Sequence, residues 1–167
     1  MDYFIMRQDP RMTGVAKFIT GSLELRTLTR EQIQDISTTK TIFVKEDSYN
    51  QYPDYFEEAG MLISEKLKRI IGKYQGNTVF KTIVLIEKEK NRQEIYYLAL
   101  PPQIKCASLK TIYDKQGNVK EFVLDEEKVG HARVFCADNY GKRIFVRLDV
   151  AESILRRSPY GVSFEKV

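Results

Sequence analysis

Two stretches of this chain carry the same pattern, and that pattern limits what the chain can fold into. One covers residues 61–74 and continues through Thr78-Val-Phe-Lys-Thr; the other covers residues 143–167. Each reads as a strand, a capped helix, a sharp stop and a second strand. A shift of 84 residues places Leu67 on Ala151, Ile70 on Ile154, Ile71 on Leu155 and Phe80 on Phe164. In the first unit Ser64 can accept a hydrogen bond from a free N–H of the first helical turn. Leu67, Ile70, Ile71 and Tyr74 follow at i, i+3, i+4 and i+7, which makes one apolar stripe. Lys66, Lys68, Arg69 and Lys73 face outward, and Gly76 supplies a stop. In the second unit Asp149 is a capping residue with Glu152 three positions later. Ile154 and Leu155 point to the core with Val150 or Ala151. Arg156 and Arg157 suit the negative end of the helix dipole. Pro159 and Gly161 end that helix, and 162–167 closes as a strand.

Between and before these units the period is that of strands. Strands are predicted over 2–6, 41–45, 78–86, 94–100, 104–113 and 119–124, and a hairpin over 132–137 and 142–148. Thr29, with Gln32 three residues on, starts a short helix. Successive strands joined by short turns imply antiparallel pairing. The expected fold is therefore α+β: a mixed, largely antiparallel sheet with two main helices, built around two similar strand–helix–strand units near 60–86 and 143–167. A chain of 167 residues can bury one full core, so 1–167 reads as a single domain.

An apolar fraction of 43% with 30% charged residues is that of a soluble globular protein. The opening stretch carries Asp2 and only a short apolar run, unlike a secretory leader. No apolar run approaches the roughly 20 residues of a membrane helix. A cytoplasmic protein without membrane association is expected. The net charge of +4 comes from cations interleaved with acids. The densest run, Glu87-Lys-Glu-Lys-Asn-Arg92, alternates in sign and reads as a solvated turn, with a phosphate-binding loop as the alternative. Cys106 and Cys136 lie in apolar, strand-like surroundings and read as buried thiols.

Chemistry is sparse. His131 is the only histidine, so no zinc spacing exists. His131 and Cys136 are an odd number of residues apart, which on a strand puts them on opposite faces. There is no Gly-Lys-Ser/Thr phosphate loop. The acids of 57–58 and 125–127 read as exposed loop charge. No enzyme and no cofactor are expected, although a site assembled from scattered acids stays open. One loop suits protein recognition: Tyr49, Tyr52, Asp54, Tyr55, Glu57 and Glu58 combine broad rings with carboxylates. The alternative for this loop is that half its rings pack back onto the sheet. Tyr96 and Tyr97 alternate, so a strand shows one ring per face.

Three segments bring a family into view: Tyr3-Phe-Ile-Met, Gly60-Met-Leu-Ile-Ser-Glu-Lys-Leu-Lys-Arg-Ile-Ile, and Ile144-Phe-Val-Arg-Leu-Asp-Val-Ala-Glu-Ser-Ile-Leu-Arg-Arg followed by Tyr160-Gly-Val-Ser-Phe. On these the chain resembles the immunity protein 11 family of bacterial polymorphic-toxin systems. The resemblance implies a non-enzymatic protein that binds and neutralises a cognate toxin. It transfers no catalytic residue. The alternative reading is a nucleic-acid-associated module that uses the basic helix face of Lys66, Lys68, Arg69 and Lys73.

Overall fold

The computed structural model describes residues 1–19, 21–34 and 39–167. In chain order they form β1 (Tyr3–Gln8), α1 (Ser22–Thr27), α2 (Arg30–Gln34), β2 (Lys40–Phe43), β3 (Tyr55–Phe56), β4 (Leu62–Ile63), α3 (Glu65–Tyr74), β5 (Val79–Glu87) and β6 (Arg92–Leu100). There follow β7 (Gln103–Ile104), β8 (Ile112–Tyr113), β9 (Val119–Glu121), α4 (Glu126–Val129), β10 (Val134–Ala137), β11 (Phe145–Arg147), α5 (Leu148–Leu155) and β12 (Val162–Lys166). The fold is α+β with mixed, mostly antiparallel sheets and two main helices, α3 and α5. The strands divide into two five-stranded sheets, ordered β12-β1-β11-β10-β7 and β2-β5-β6-β4-β3, with β8-β9 as a separate hairpin. Only β10 with β7 and β2 with β5 pair in parallel among the named strands described. No helix of the described residues is long and apolar enough to cross a membrane.

The two strand–helix–strand units share one local topology. β4 and β5 both run antiparallel to β6, which lies between them. β11 and β12 both run antiparallel to β1, which lies between them. The strands joined by each helix are therefore parallel to each other, an arrangement that requires a crossover rather than a tight turn. α3 lies on β6 and β4, α5 lies on β11 and β1, and the helices pack on each other. They run in opposite directions. Lys66 Nζ, at the start of α3, is 3.4 Å from the Ser158 carbonyl just beyond α5. At the other end the Gln75 side chain accepts from the Arg133 and Val134 amides at 2.9 and 3.3 Å.

Burial follows the two periods. Leu67, Ile70 and Ile71 of α3 meet Val150, Ala151 and Ile154 of α5 in one core cluster. Sheet one is covered on both faces, so β10 is buried at all four positions. Val134 and Cys136 point to the helix side, while Phe135 and Ala137 point to a second cluster with Tyr3, Ile5 and Phe145. That second cluster is knit by rings: Tyr3 meets Phe135 edge-on at 5.6 Å, and Phe135 stacks on Phe145 at 5.1 Å. Alternation on a doubly covered sheet gives a continuous apolar run rather than an in–out pattern.

The local chemistry of the helix starts holds at three places. The Leu67 amide donates to Ser64 Oγ at 3.4 Å. Thr29 and Gln32 exchange bonds, the Thr29 amide to Gln32 Oε1 at 3.0 Å and the Gln32 amide to Thr29 Oγ1 at 3.3 Å. That is a reciprocal capping box. α4, read from the sequence as loop charge, is capped by Asp125, which accepts from the Lys128 amide at 3.4 Å.

Some expectations fail in detail. Asp149 does not cap α5; the helix begins one residue earlier, and the Asp149 carboxylate is taken by the Arg147 guanidinium at 2.6 Å. Leu155 is 54% exposed, because α5 ends there and its last turn faces solvent. The strand expected over 104–113 is broken into β7 and β8, with Ala107 bridged to Leu124 between them.

Gly161 shows why the turn after α5 needs its residue type. Its φ is +68°, and a Cβ there would lie 2.7 Å from Pro53 Cβ and overlap Met12 Sδ. The close approach docks this turn on the rest of the chain: Asp9 N donates to the Gly161 carbonyl at 3.0 Å and Asp54 N to the Tyr160 carbonyl at 2.8 Å. Gly161→Ala is expected to destabilise the protein by more than about 1 kcal/mol. Thermal unfolding followed by circular dichroism should show a melting temperature lowered by at least roughly 2–4 °C. An unchanged melting temperature would remove the steric argument.

Candidate functional site

A groove of about 570 Å³ lies between α3 and α5. α3 contributes Glu65, Lys66, Arg69, Ile70, Lys73 and Tyr74; α5 and its exit contribute Ser153 and Arg157; Arg133 leans in from the start of β10. The lining holds five cations and one carboxylate, and Asp54 and Asp149 reach two of those cations from just outside it. The cause is helical spacing. Lys66, Arg69 and Lys73 fall at i, i+3 and i+7, on the edge of α3 beside the buried stripe. Lys68 falls on the other edge, where its ammonium sits over the Tyr97 ring at 3.8 Å. The basic helix face read from the sequence is thus split, three of its four cations entering the groove.

Each end of the groove has its own cation cluster. At one end Lys66 reaches Asp54 Oδ2 at 3.2 Å, and Arg157 donates to the Ser153 carbonyl and Oγ at 2.7 and 2.8 Å. Ser153 is 8% exposed, so it serves as a buried polar anchor that aims the guanidinium. At the other end Arg133 lies 5.8 Å over the Tyr74 ring and 3.9 Å from Asp149. Asp149 is mainly the partner of Arg147, whose guanidinium holds its carboxyl below the ordinary aspartate value. In the middle Arg69 pairs with Glu65 at 2.9 Å. The Glu65 carboxyl is held low, first by the Tyr97 hydroxyl and then by Arg69. Lys73 has no ion pair among the described residues. Such an arrangement of cations suits an anion. Among the described residues no group of three His, Cys, Asp or Glu side chains could hold a metal ion.

Arg133 and Arg157 could not be placed at this site from the sequence. The spacing of Lys66, Arg69 and Lys73 was the available signal for its α3 wall.

The tyrosine-rich loop lies elsewhere in its chemistry. Tyr49 is 84% exposed and the Glu58 side chain also faces solvent. Tyr55 is wholly buried, and burial raises its hydroxyl pKa. Asp54 is buried and accepts from the Tyr160 amide at 2.7 Å and from Lys66. Glu57 pairs with Arg7 at 2.5 Å. Tyr52 lies under the Arg92 guanidinium at 4.0 Å. On the folded chain Tyr55 and Asp54 hold the loop down rather than face a partner. The ring cluster explains this: Phe56 meets Phe18 at 5.2 Å, Tyr96 at 5.1 Å and Tyr52 at 6.4 Å, all edge-on. Tyr96 is buried and donates to the Pro53 carbonyl at 2.7 Å, while Tyr97 turns to the other face.

The two thiols are free and buried. Burial pushes Cys106 up to about 11 and Cys136 up to about 12, so both are inert thiols at neutral pH. His131 stands exposed outside β10, whereas the Cys136 thiol lies 3.5 Å from the Met61 sulfur.

Glu87 is not part of a solvated turn. In β5 the buried positions alternate through Ile83 and Leu85, and Glu87 is next on that face, with no solvent exposure. Tyr52 donates to it at 3.0 Å and Lys90 lies at 2.9 Å. Burial alone would raise its pKa, but Lys90, Tyr52 and Asn50 outweigh that, and the net direction is down. A carboxyl lowered by folding stabilises fully above the ordinary glutamate range and loses that stabilisation as pH falls through its folded value. Glu87→Gln is therefore expected to cost roughly 2 kcal/mol at neutral pH. In urea unfolding the gap between variant and parent should narrow below about pH 4. A gap that stays constant from neutral to acid pH would contradict the assignment.

No protein-family profile matches the chain, and no curated protein matches it significantly.

Proposed function

We propose that this chain is a non-enzymatic binding protein that neutralises a cognate bacterial toxin, with the α3–α5 face as its contact surface. One observation carries the reading. The segments that resemble the immunity protein 11 family are 3–6, 60–71, and 144–157 with 160–164; 60–71 and 144–157 supply most of α3 and all of α5, the two helices that flank the groove, while 3–6 lies in β1 under α5 and 160–164 leads into β12. A face made from two packed helices holds its charged side chains on rigid backbone, which lowers the ordering cost of binding. The local cationic excess speeds encounter with a complementary partner. The reading carries with it a cytoplasmic protein that needs no cofactor.

The same cations favour a second reading, a module associated with nucleic acid. It requires RNA or DNA affinity that falls steeply with salt, as counterion release dictates.

Co-expression of the chain with a toxin encoded beside its gene tests the first reading. Restored growth and stoichiometric recovery of the toxin on the tagged chain are expected. Growth arrest that persists at full expression of the chain, with no toxin recovered, sinks it.

A further inference from the structure

We propose that the groove between α3 and α5 takes an acidic segment of the partner protein, with carboxylates seated at its two cationic ends. This rests on the inhibitor reading and names the chemistry of its partner. Lys66 and Arg157 mark one end, Lys73 and Arg133 the other. Seven residues of α3 separate Lys66 from Lys73, about 10 Å along the helix. Carboxylates seven residues apart on a partner helix span the same distance. So do side chains about three residues apart on an extended strand.

Three features select carboxylates over a nucleic-acid backbone. First, the free charge is sparse. Lys66, Arg69 and Arg133 already have Asp54, Glu65 and Asp149 at 3.2, 2.9 and 3.9 Å. Lys73 and Arg157 have no carboxylate partner among the described residues, and they stand at opposite ends. Second, duplex DNA carries a phosphate every ~3.4 Å per strand, so about three would crowd a groove of this length. Third, a base needs an open aromatic face to stack on. Tyr74 is the one ring lining the groove, and the Arg133 guanidinium covers it.

The test is a titration of the ¹⁵N-labelled full chain at low salt, with a hexaglutamate peptide in one series and a six-nucleotide RNA in the other. Peptide-induced amide shifts confined to α3, α5 and Arg133 are expected. Lys73→Glu combined with Arg157→Glu should weaken peptide binding roughly tenfold. Lys73→Glu alone, which breaks no described ion pair, should weaken it in the same direction while leaving the spectrum folded. Arg156→Glu, on the solvent side of α5, should change nothing. Peptide shifts that are absent, or scattered over the surface, overturn the proposal. So does RNA that moves the same amides at lower concentration than the peptide. If the peptide fails while the chain still silences its toxin, only the groove assignment falls. If the peptide binds the groove and the toxin is not silenced, the inhibitor reading falls and the acidic-segment site stands.

Discussion

The antiparallel contact between α3 and α5 is the constraint on which the rest depends. Each helix covers its own sheet, and the shared apolar seam of Leu67, Ile70, Ile71, Val150, Ala151 and Ile154 joins the two sheets into one core. Two amphipathic helices with one apolar stripe each must bury it against something. Here each stripe is divided between a sheet below and the other helix beside it. The exposed edges that remain come together, and the groove is what lies between them. Its charge follows from that geometry, because the residues flanking an apolar stripe on a surface helix are normally long and charged.

The ends of the helix pair are fastened by polar contacts. Gln75 grips the amides that lead into β10, and Lys66 with Asp54 grips the turn that leaves α5. A buried carboxylate is costly unless it is paired with a cation and hydrogen-bonded. Asp54 Oδ2 takes a backbone amide and an ammonium, and Glu87 takes a phenol on Oε2 with the Lys90 ammonium beside Oε1. Both therefore anchor the tyrosine-rich loop that the sequence offers as recognition surface, Asp54 from within it and Glu87 through Tyr52.

The two strand–helix–strand units are alike in topology but unequal in burial. Ile71 is fully buried, while Leu155, 84 residues on, is half exposed. α3 continues three residues past Ile71 and keeps it against the seam, whereas α5 stops at Leu155 and releases it. A shared sequence pattern thus sets the path of the chain without setting the environment of each position.

The sequence by itself determined the α+β class, the two main helices and their apolar stripes, the Ser64 cap and the Thr29–Gln32 capping box. Each rests on contacts within a few residues, so local spacing is sufficient to specify it. It also carried one wall of the groove in the spacing of Lys66, Arg69 and Lys73. Tertiary structure alone decided that the strands part into two sheets, that Tyr55 and Asp54 turn inward, and that Arg133 and Arg157 join those lysines. The physical reason is that burial of a ring, satisfaction of a carboxylate and convergence of like charges all depend on partners dozens of residues away. Those partners meet only once the two helices have packed.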